Sequence, residues 1–268
     1  MSRLHWERSG RGPTVVLVHG VGLTGRFWTD AVSLLDRSFS CVVVDLDGFG
    51  RSAPHPGHRD VAGYAESLMS TIGELGDERV AVVGHSLGGM VAQELAVAAP
   101  DHVSALVLCN TLSKAGPRVR EINEVLAKCA LDAGSAALAA RMEEGLFGVP
   151  SMEGSGPARQ RFFSDFGDAD PAAVAAALLA IRDFDVIDRI GTLRVPVLVV
   201  AGECEANLQD QIAAAAAFPE AEVAVIKGAG HMAPAEAPSE LARLVRSFLL
   251  QTRPITSPTP DPAPLVRH

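Results

Sequence analysis

The segment Gly84-His85-Ser86-Leu87-Gly88-Gly89 has residue types and spacing that point to chemistry. A Val-rich run, Arg79–Val83, precedes it and a helical pattern follows it. In that setting G-x-S-x-G places a serine on a sharp strand-to-helix turn, with its hydroxyl pushed into solvent. The turn strains the serine backbone, and side chains at 84 and 88 would collide with the helix and the strand. A serine hydroxyl is a poor nucleophile unless a base takes its proton during attack. The chain supplies one late, at Gly228-Ala229-Gly230-His231-Met232, where the glycines let a loop after the last expected strand fold sharply.

The other histidines have weaker settings. His19 ends a strand and is expected to orient the backbone there. His85 is the variable position of the turn, while His5, His102 and His268 lack supporting neighbours. His55 and His58 share a Pro/Gly loop, but a zinc site there would have no third or fourth ligand nearby in sequence.

The base needs an acid to fix its tautomer and stabilise the imidazolium. Glu203 and Glu205 both qualify, lying in Gly202-Glu203-Cys204-Glu205-Ala206-Asn207 just past the run Val195–Ala201. Glu203, closer to the strand, could instead brace the loop. A developing oxyanion needs two donors. One is the backbone N–H of Leu87, at a helix N-terminus directly after the serine. The second is the N–H of Val21 in His19-Gly20-Val21-Gly22-Leu23, where glycines free the backbone to turn inward.

The elements that must position these groups are legible as short apolar runs: 14–18, 41–44, 80–83, 103–108, 195–201 and 223–226. They are unbroken rather than alternating, as strands buried on both faces are. Helical patterns at 62–73, 87–98, 210–217 and 239–250 lie between or after them. This alternation implies a mostly parallel sheet flanked by helices. It breaks between 113 and 194, where Ala-rich helical patterns at 119–133, 135–147, 158–166 and 171–184 read as an inserted cap, with a loop at 148–156. The expected division is a core at 1–112 and 195–251, a helical cap at 113–194 and a disordered Pro-rich tail at 252–268.

At 268 residues, with 48% hydrophobic and 21% charged residues, the chain can bury one large core. Its net charge of −9 and the lack of a Lys/Arg stripe argue against a nucleic-acid partner. Four dispersed cysteines without a CxxC pair read as reduced thiols in a cytoplasmic protein. Residues 1–12 lack the apolar run of a signal peptide, and the longest apolar stretch, 172–181, is too short to cross a bilayer, so no membrane association is expected.

Taken in order, these segments resemble the α/β-hydrolase superfamily in its capped, cofactor-free branch. The match runs through His19-Gly20-Val21-Gly22, Asp45-Leu46-Asp47-Gly48-Phe49-Gly50-Arg51-Ser52, Gly84–Gly89, Pro196 leading to Gly202-Glu203, and Gly230-His231. Leu106-Val107-Leu108-Cys109-Asn110-Thr111 is similar to the 3-oxoadipate enol-lactonase subgroup. The resemblance implies a serine, acid, histidine order met by Ser86, Glu205 and His231. Two positions depart from the pattern. Glutamate stands at 205 where the family usually has aspartate, and Asp47 stands where proline or arginine is common. Asn110, the nearest match to an alternative acid position, carries no charge.

The resulting expectation is hydrolysis of an ester or lactone of a small to medium apolar substrate through an acyl-enzyme, with no metal or organic cofactor. Leu138, Leu146, Phe147, Phe162, Phe163 and Phe166 would roof the pocket or form cap core. Arg141, Arg159 or Arg161 would meet any substrate carboxylate. Rival readings keep the fold and change the reaction (carbon–carbon hydrolase, lyase, haloperoxidase, cyclase), or make the pocket a slow-turnover receptor.

Overall fold

A computed structural model describes residues 4–55, 60–149 and 155–252. The sheet has seven strands: β1 (Trp6–Gly10), β2 (Thr14–Val18), β3 (Ser40–Val44), β4 (Val80–His85), β5 (Val103–Cys109), β6 (Val197–Gly202) and β7 (Ala221–Ile226). Their order is β1-β3-β2-β4-β5-β6-β7. Among these described strands β1 and β3 pair antiparallel and the other neighbours pair parallel. The Val-rich strands β2, β4 and β6 are buried along their whole length, as an apolar run covered on both faces must be.

Helices α1 (Thr29–Leu35), α2 (Val61–Leu75) and α3 (Leu87–Ala98) link the first five strands. Asp60 caps α2 by accepting from the Gly63 N–H, and Gly76 ends it in the left-handed conformation. Between β5 and β6 come α4 (Pro117–Ala133), α5 (Ser135–Leu146), α6 (Ser155–Asp168), α7 (Pro171–Ile181) and the single turn α8 (Ile187–Ile190). α9 (Leu208–Ala215), α10 (Ala233–Glu236) and α11 (Pro238–Gln251) follow β6 and β7. Within the insertion α4 packs on α7, and α5 on α6. Its two ends meet in a short neck, where Ala115 N–H donates to the Phe184 carbonyl at 2.7 Å and Val186 N–H to that of Ser113 at 2.9 Å.

Three differences from the sequence reading have physical causes. The polar β1 was not anticipated, because an edge strand paired on one side needs no apolar run. The single turns α8 and α10, and the short α1, are too brief to show a helical period. The run 223–226, expected to be buried on both faces, lies in the other edge strand, with Val223 44% and Val225 45% exposed. Apolar composition alone does not say whether a face is covered. His58, the tail from 253 onward and most of the loop expected at 148–156 lie outside the described residues. Among the described residues no helix is long and apolar enough to cross a membrane.

Candidate active site

β3 lies on one side of β2 and β4 on the other, so the loops leaving β2 and β4 diverge at their carboxyl ends. Such a reversal of strand order opens a crevice where parallel sheets bind ligands. Ser86 follows β4 at this point, and Val21 lies in the loop after β2. Ser86 adopts φ 52° and ψ −117°. That conformation is held by its own N–H donating to the Cys109 carbonyl, and by its carbonyl accepting from Gly89, Met90 and the Thr111 hydroxyl. A Cβ on Gly84 would lie 2.3 Å from the Gly88 carbonyl oxygen, and one on Gly88 2.2 Å from that of Val18. Only glycine at both positions lets helix, strand and turn approach this closely. Leu87 opens α3 and presents one of the N–H groups that a helix leaves without an internal acceptor.

Ser86, Val21 and His231 line one cavity of about 230 Å³, to which the insertion contributes Leu126, Met142, Leu146, Phe162 and Ile181. Of the six apolar residues expected as roof, Leu146 and Phe162 reach this cavity. Leu138, Phe147 and Phe166 are buried in the core, and Phe163 packs against it.

His231 Nδ1 lies 2.6 Å from Glu205 Oε2. Burial raises the pKa of Glu205, but the charge of His231 and hydrogen bonds from His231, Asn110 and the Asn207 backbone outweigh it and bring it to about 2. Ionised, the carboxylate only accepts, so the proton in this contact sits on His231 Nδ1. Glu203 does something else: its Oε2 accepts from the Gly228 N–H at 2.9 Å and braces the turn after β7. Of the two carboxylates that the sequence left open, Glu205 is the one that meets His231. The longer glutamate is seated with the help of Asn110, which sits in the left-handed region at φ 46°. Its Nδ2 donates to Glu205 Oε2 at 3.0 Å and to the Gly230 carbonyl at 3.2 Å.

His19 donates from Nδ1 to the Gly20 carbonyl and accepts from the Leu46 N–H at Nε2, clasping two loops. Burial lowers its pKa and keeps it neutral. His85 donates from Nε2 to the His231 carbonyl at 2.9 Å and stacks on Phe27. Burial above all, then the charge of His231, brings its pKa to about 3. Asp47 is buried and its charge adds to the burial that raises Tyr64 to about 12. Arg159 pairs with Glu143 and Arg161 with Asp30, and neither lines this cavity. Arg118, at the start of α4, lines the cavity instead.

Glu236 was missed by sequence reasoning. It is fully buried; Oε1 accepts from Gly230 N–H at 2.9 Å and Oε2 from Gly148 N–H at 2.8 Å. Its pKa is raised by burial, against the pull of those two donors. Its carboxylate therefore joins the segment after α5 to the histidine loop. Its one signal was an acidic residue among prolines five positions after His231. A separate hollow of about 500 Å³ lies between β1, β3 and α6, and within it Arg26 pairs with Asp165 and Arg51 with Glu7.

The sequence pattern of the Alpha/beta hydrolase family matches residues 15–244. Taken with the sheet order and the serine turn, this shows that the chain belongs to that family. It is similar to a thermophilic esterase from Thermogutta terrifontis, with 28% identity, a TM-score of 0.87 and 94% of each chain covered. It is similar over 106 residues, at 41% identity and 40% of each chain, to a pimeloyl-[acyl-carrier protein] methyl ester esterase of Vibrio parahaemolyticus. The enol-lactonase from Burkholderia xenovorans LB400 shares the fold, with a TM-score of 0.85 over 92% of this chain and 96% of that one, at 24% identity. Hydrolase chemistry on this fold is what the named relatives have in common.

Proposed function

We propose that the protein hydrolyses a carboxylic ester or lactone through an acyl-enzyme on Ser86. The observation that carries this reading is the 2.6 Å contact between His231 Nδ1 and Glu205, in a cavity that the strained Ser86 also lines. Ser86 Oγ attacks the carbonyl while His231 Nε2 takes its proton and then passes it to the leaving alcohol. The oxyanion is met by the N–H groups of Val21 and Leu87, fixed before reaction by the loop after β2 and the start of α3. Water, deprotonated by the same Nε2, then releases the acid and regenerates Ser86. Glu205 keeps the proton on Nδ1 and stabilises the imidazolium. The largely apolar insertion wall suits a small to medium acyl group. Four free thiols fit a reducing, cytoplasmic setting.

Labelling with a fluorophosphonate probe, peptide mapping and a parallel assay on p-nitrophenyl esters test the reading. Modification at Ser86 with repeated turnover is expected. A folded sample that neither labels nor turns over would overturn it.

A further inference from the structure

The loop that carries His231 is tied to its surroundings through its own backbone. The Gly230 N–H donates to Glu236 Oε1, and the Gly230 carbonyl accepts from Asn110 Nδ2. The Met232 N–H donates to the Leu146 carbonyl. Between them, the carbonyl of His231 itself accepts from His85 Nε2 at 2.9 Å. Of these ties, the last runs to the segment that carries the serine, because His85 and Ser86 share a peptide bond. His85 is itself held firmly. It is the last residue of β4, where the ladder pairs it with Cys109 of β5. Its ring stacks on Phe27 with centroids 4.6 Å apart, and Phe27 meets the buried Trp28 edge-on. The loop after β2 lies against the same ring: a Cβ on Gly20 would be 3.0 Å from His85 Nδ1 and 3.1 Å from Ser86 Cβ. One ring thus touches the loop that presents Val21, adjoins Ser86 and holds the base loop. At 1% exposure it offers a substrate almost no surface.

We infer that His85 is a positioning residue, which sets the separation of base and nucleophile by holding the His231 carbonyl from the strand that ends at Ser86. This rests on the hydrolase reading above. The task needs a neutral N–H donor on a stem that does not move. A carbonyl oxygen can only accept, so the imidazole donates, and a side chain on a strand is placed more precisely than one on a loop. Burial keeps the ring neutral, so it sets no second positive charge beside the imidazolium that forms on His231. Misplacing reacting groups by about 1 Å can cost about 10²-fold in rate, so loss of this tie is read in kcat.

Two substitutions separate position from packing. His85→Phe fills the space and can stack on Phe27 but has no donor. His85→Gln loses the ring yet can offer the carbonyl an amide N–H. With p-nitrophenyl butyrate, His85→Phe should lower kcat about tenfold or more with KM within about threefold, and His85→Gln should recover most of that loss. A ring needed only for packing predicts the opposite order. His85→Leu serves if His85→Phe does not fold. Nitrogen NMR of the imidazoles needs no turnover: the His231 signals should shift or broaden in His85→Phe and return in His85→Gln. Native kcat in His85→Phe, or His85→Gln no better than His85→Phe, would overturn the inference. If the folded native protein turns over no ester, the hydrolase reading falls, and the order of the two variants in the His231 signals decides whether His85 holds this loop.

Discussion

At the scale of single residues, Ser86 and His231 stood out because each is announced locally, by glycines that a tight turn requires. Ser86→Ala removes the proposed nucleophile and leaves the turn, so ester turnover should fall at least about 10⁴-fold with an unchanged circular dichroism spectrum. Glu205→Gln would offer Nδ1 an amide donor and favour the wrong tautomer; kcat should drop about 10²–10⁴-fold. Glu203→Gln, removed from the imidazole, should change kcat by less than about twofold. A reversal of these last two results would move the acid to 203. The folded Glu205 titrates near 2 against an ordinary 4.5, so its ionised form stabilises the fold. That stability is complete above 4.5 and is lost as pH falls through about 2; it amounts to roughly 3 kcal/mol. Urea unfolding at about pH 6 and about pH 3 should show a steeper acid loss in the native protein than in Glu205→Gln. Equal slopes would mean the carboxyl is not held by the histidine. The sequence could not separate the two glutamates, because what separates them is which side chain turns toward a loop 26 residues away.

At the scale of elements, the histidine loop is clamped from above by the segment that follows α5. Met232 N–H donates to the Leu146 carbonyl, Val149 N–H to that of Gly228, and Glu236 bridges Gly148 and Gly230. Gly148 and Gly230 touch backbone to backbone; a Cβ on Gly148 would lie 2.0 Å from the Gly228 carbonyl oxygen. The insertion and the base are therefore mechanically joined. In Glu236→Gln one amide oxygen can accept from only one side, and the amide NH₂ faces the other N–H. Both Glu236→Gln and Gly148→Ala should lower kcat about tenfold or more by displacing His231. If thermal stability falls while kcat holds, the clamp is structural only. None of this could be read from the chain, because a buried carboxylate accepting two backbone N–H groups has no period and no motif. The strands and long helices were legible for the opposite reason: β2 to β6 and α2 to α5 repeat a pattern over several residues. β7 shows the limit, since the same Val-rich composition serves an exposed edge. Val225→Thr there should cost less than about 0.5 kcal/mol, whereas Val199→Ala in the buried β6 should cost one or more; chemical denaturation of the two variants decides it.

At the scale of the molecule, the order of strands and the position of the insertion set the reaction's surroundings. The switch between β2 and β4 brings Val21 and Ser86 to one crevice, and the insertion after β5 lines that crevice with apolar side chains. The sequence carried the order of these pieces, and the family resemblance their function, but the size of the enclosed space depends on how α4 to α7 pack. That packing leaves a cavity of about 230 Å³, below the roughly 300–1,000 Å³ typical of sites for drug-sized ligands. Each methylene that enters such a space gains about 0.8 kcal/mol from leaving water, until the wall of Leu126, Met142 and Phe162 is met. The next methylene must then displace a packed side chain or remain in solvent. With p-nitrophenyl esters, kcat/KM should therefore rise from acetate to butyrate or hexanoate and fall at laurate. A Phe162→Ala variant should shift the optimum to longer chains, because it deepens the same wall. A profile that climbs steadily to laurate in the native protein would mean that the acyl chain is not confined by this wall, and the cavity would then not be the space in which the acyl group reacts.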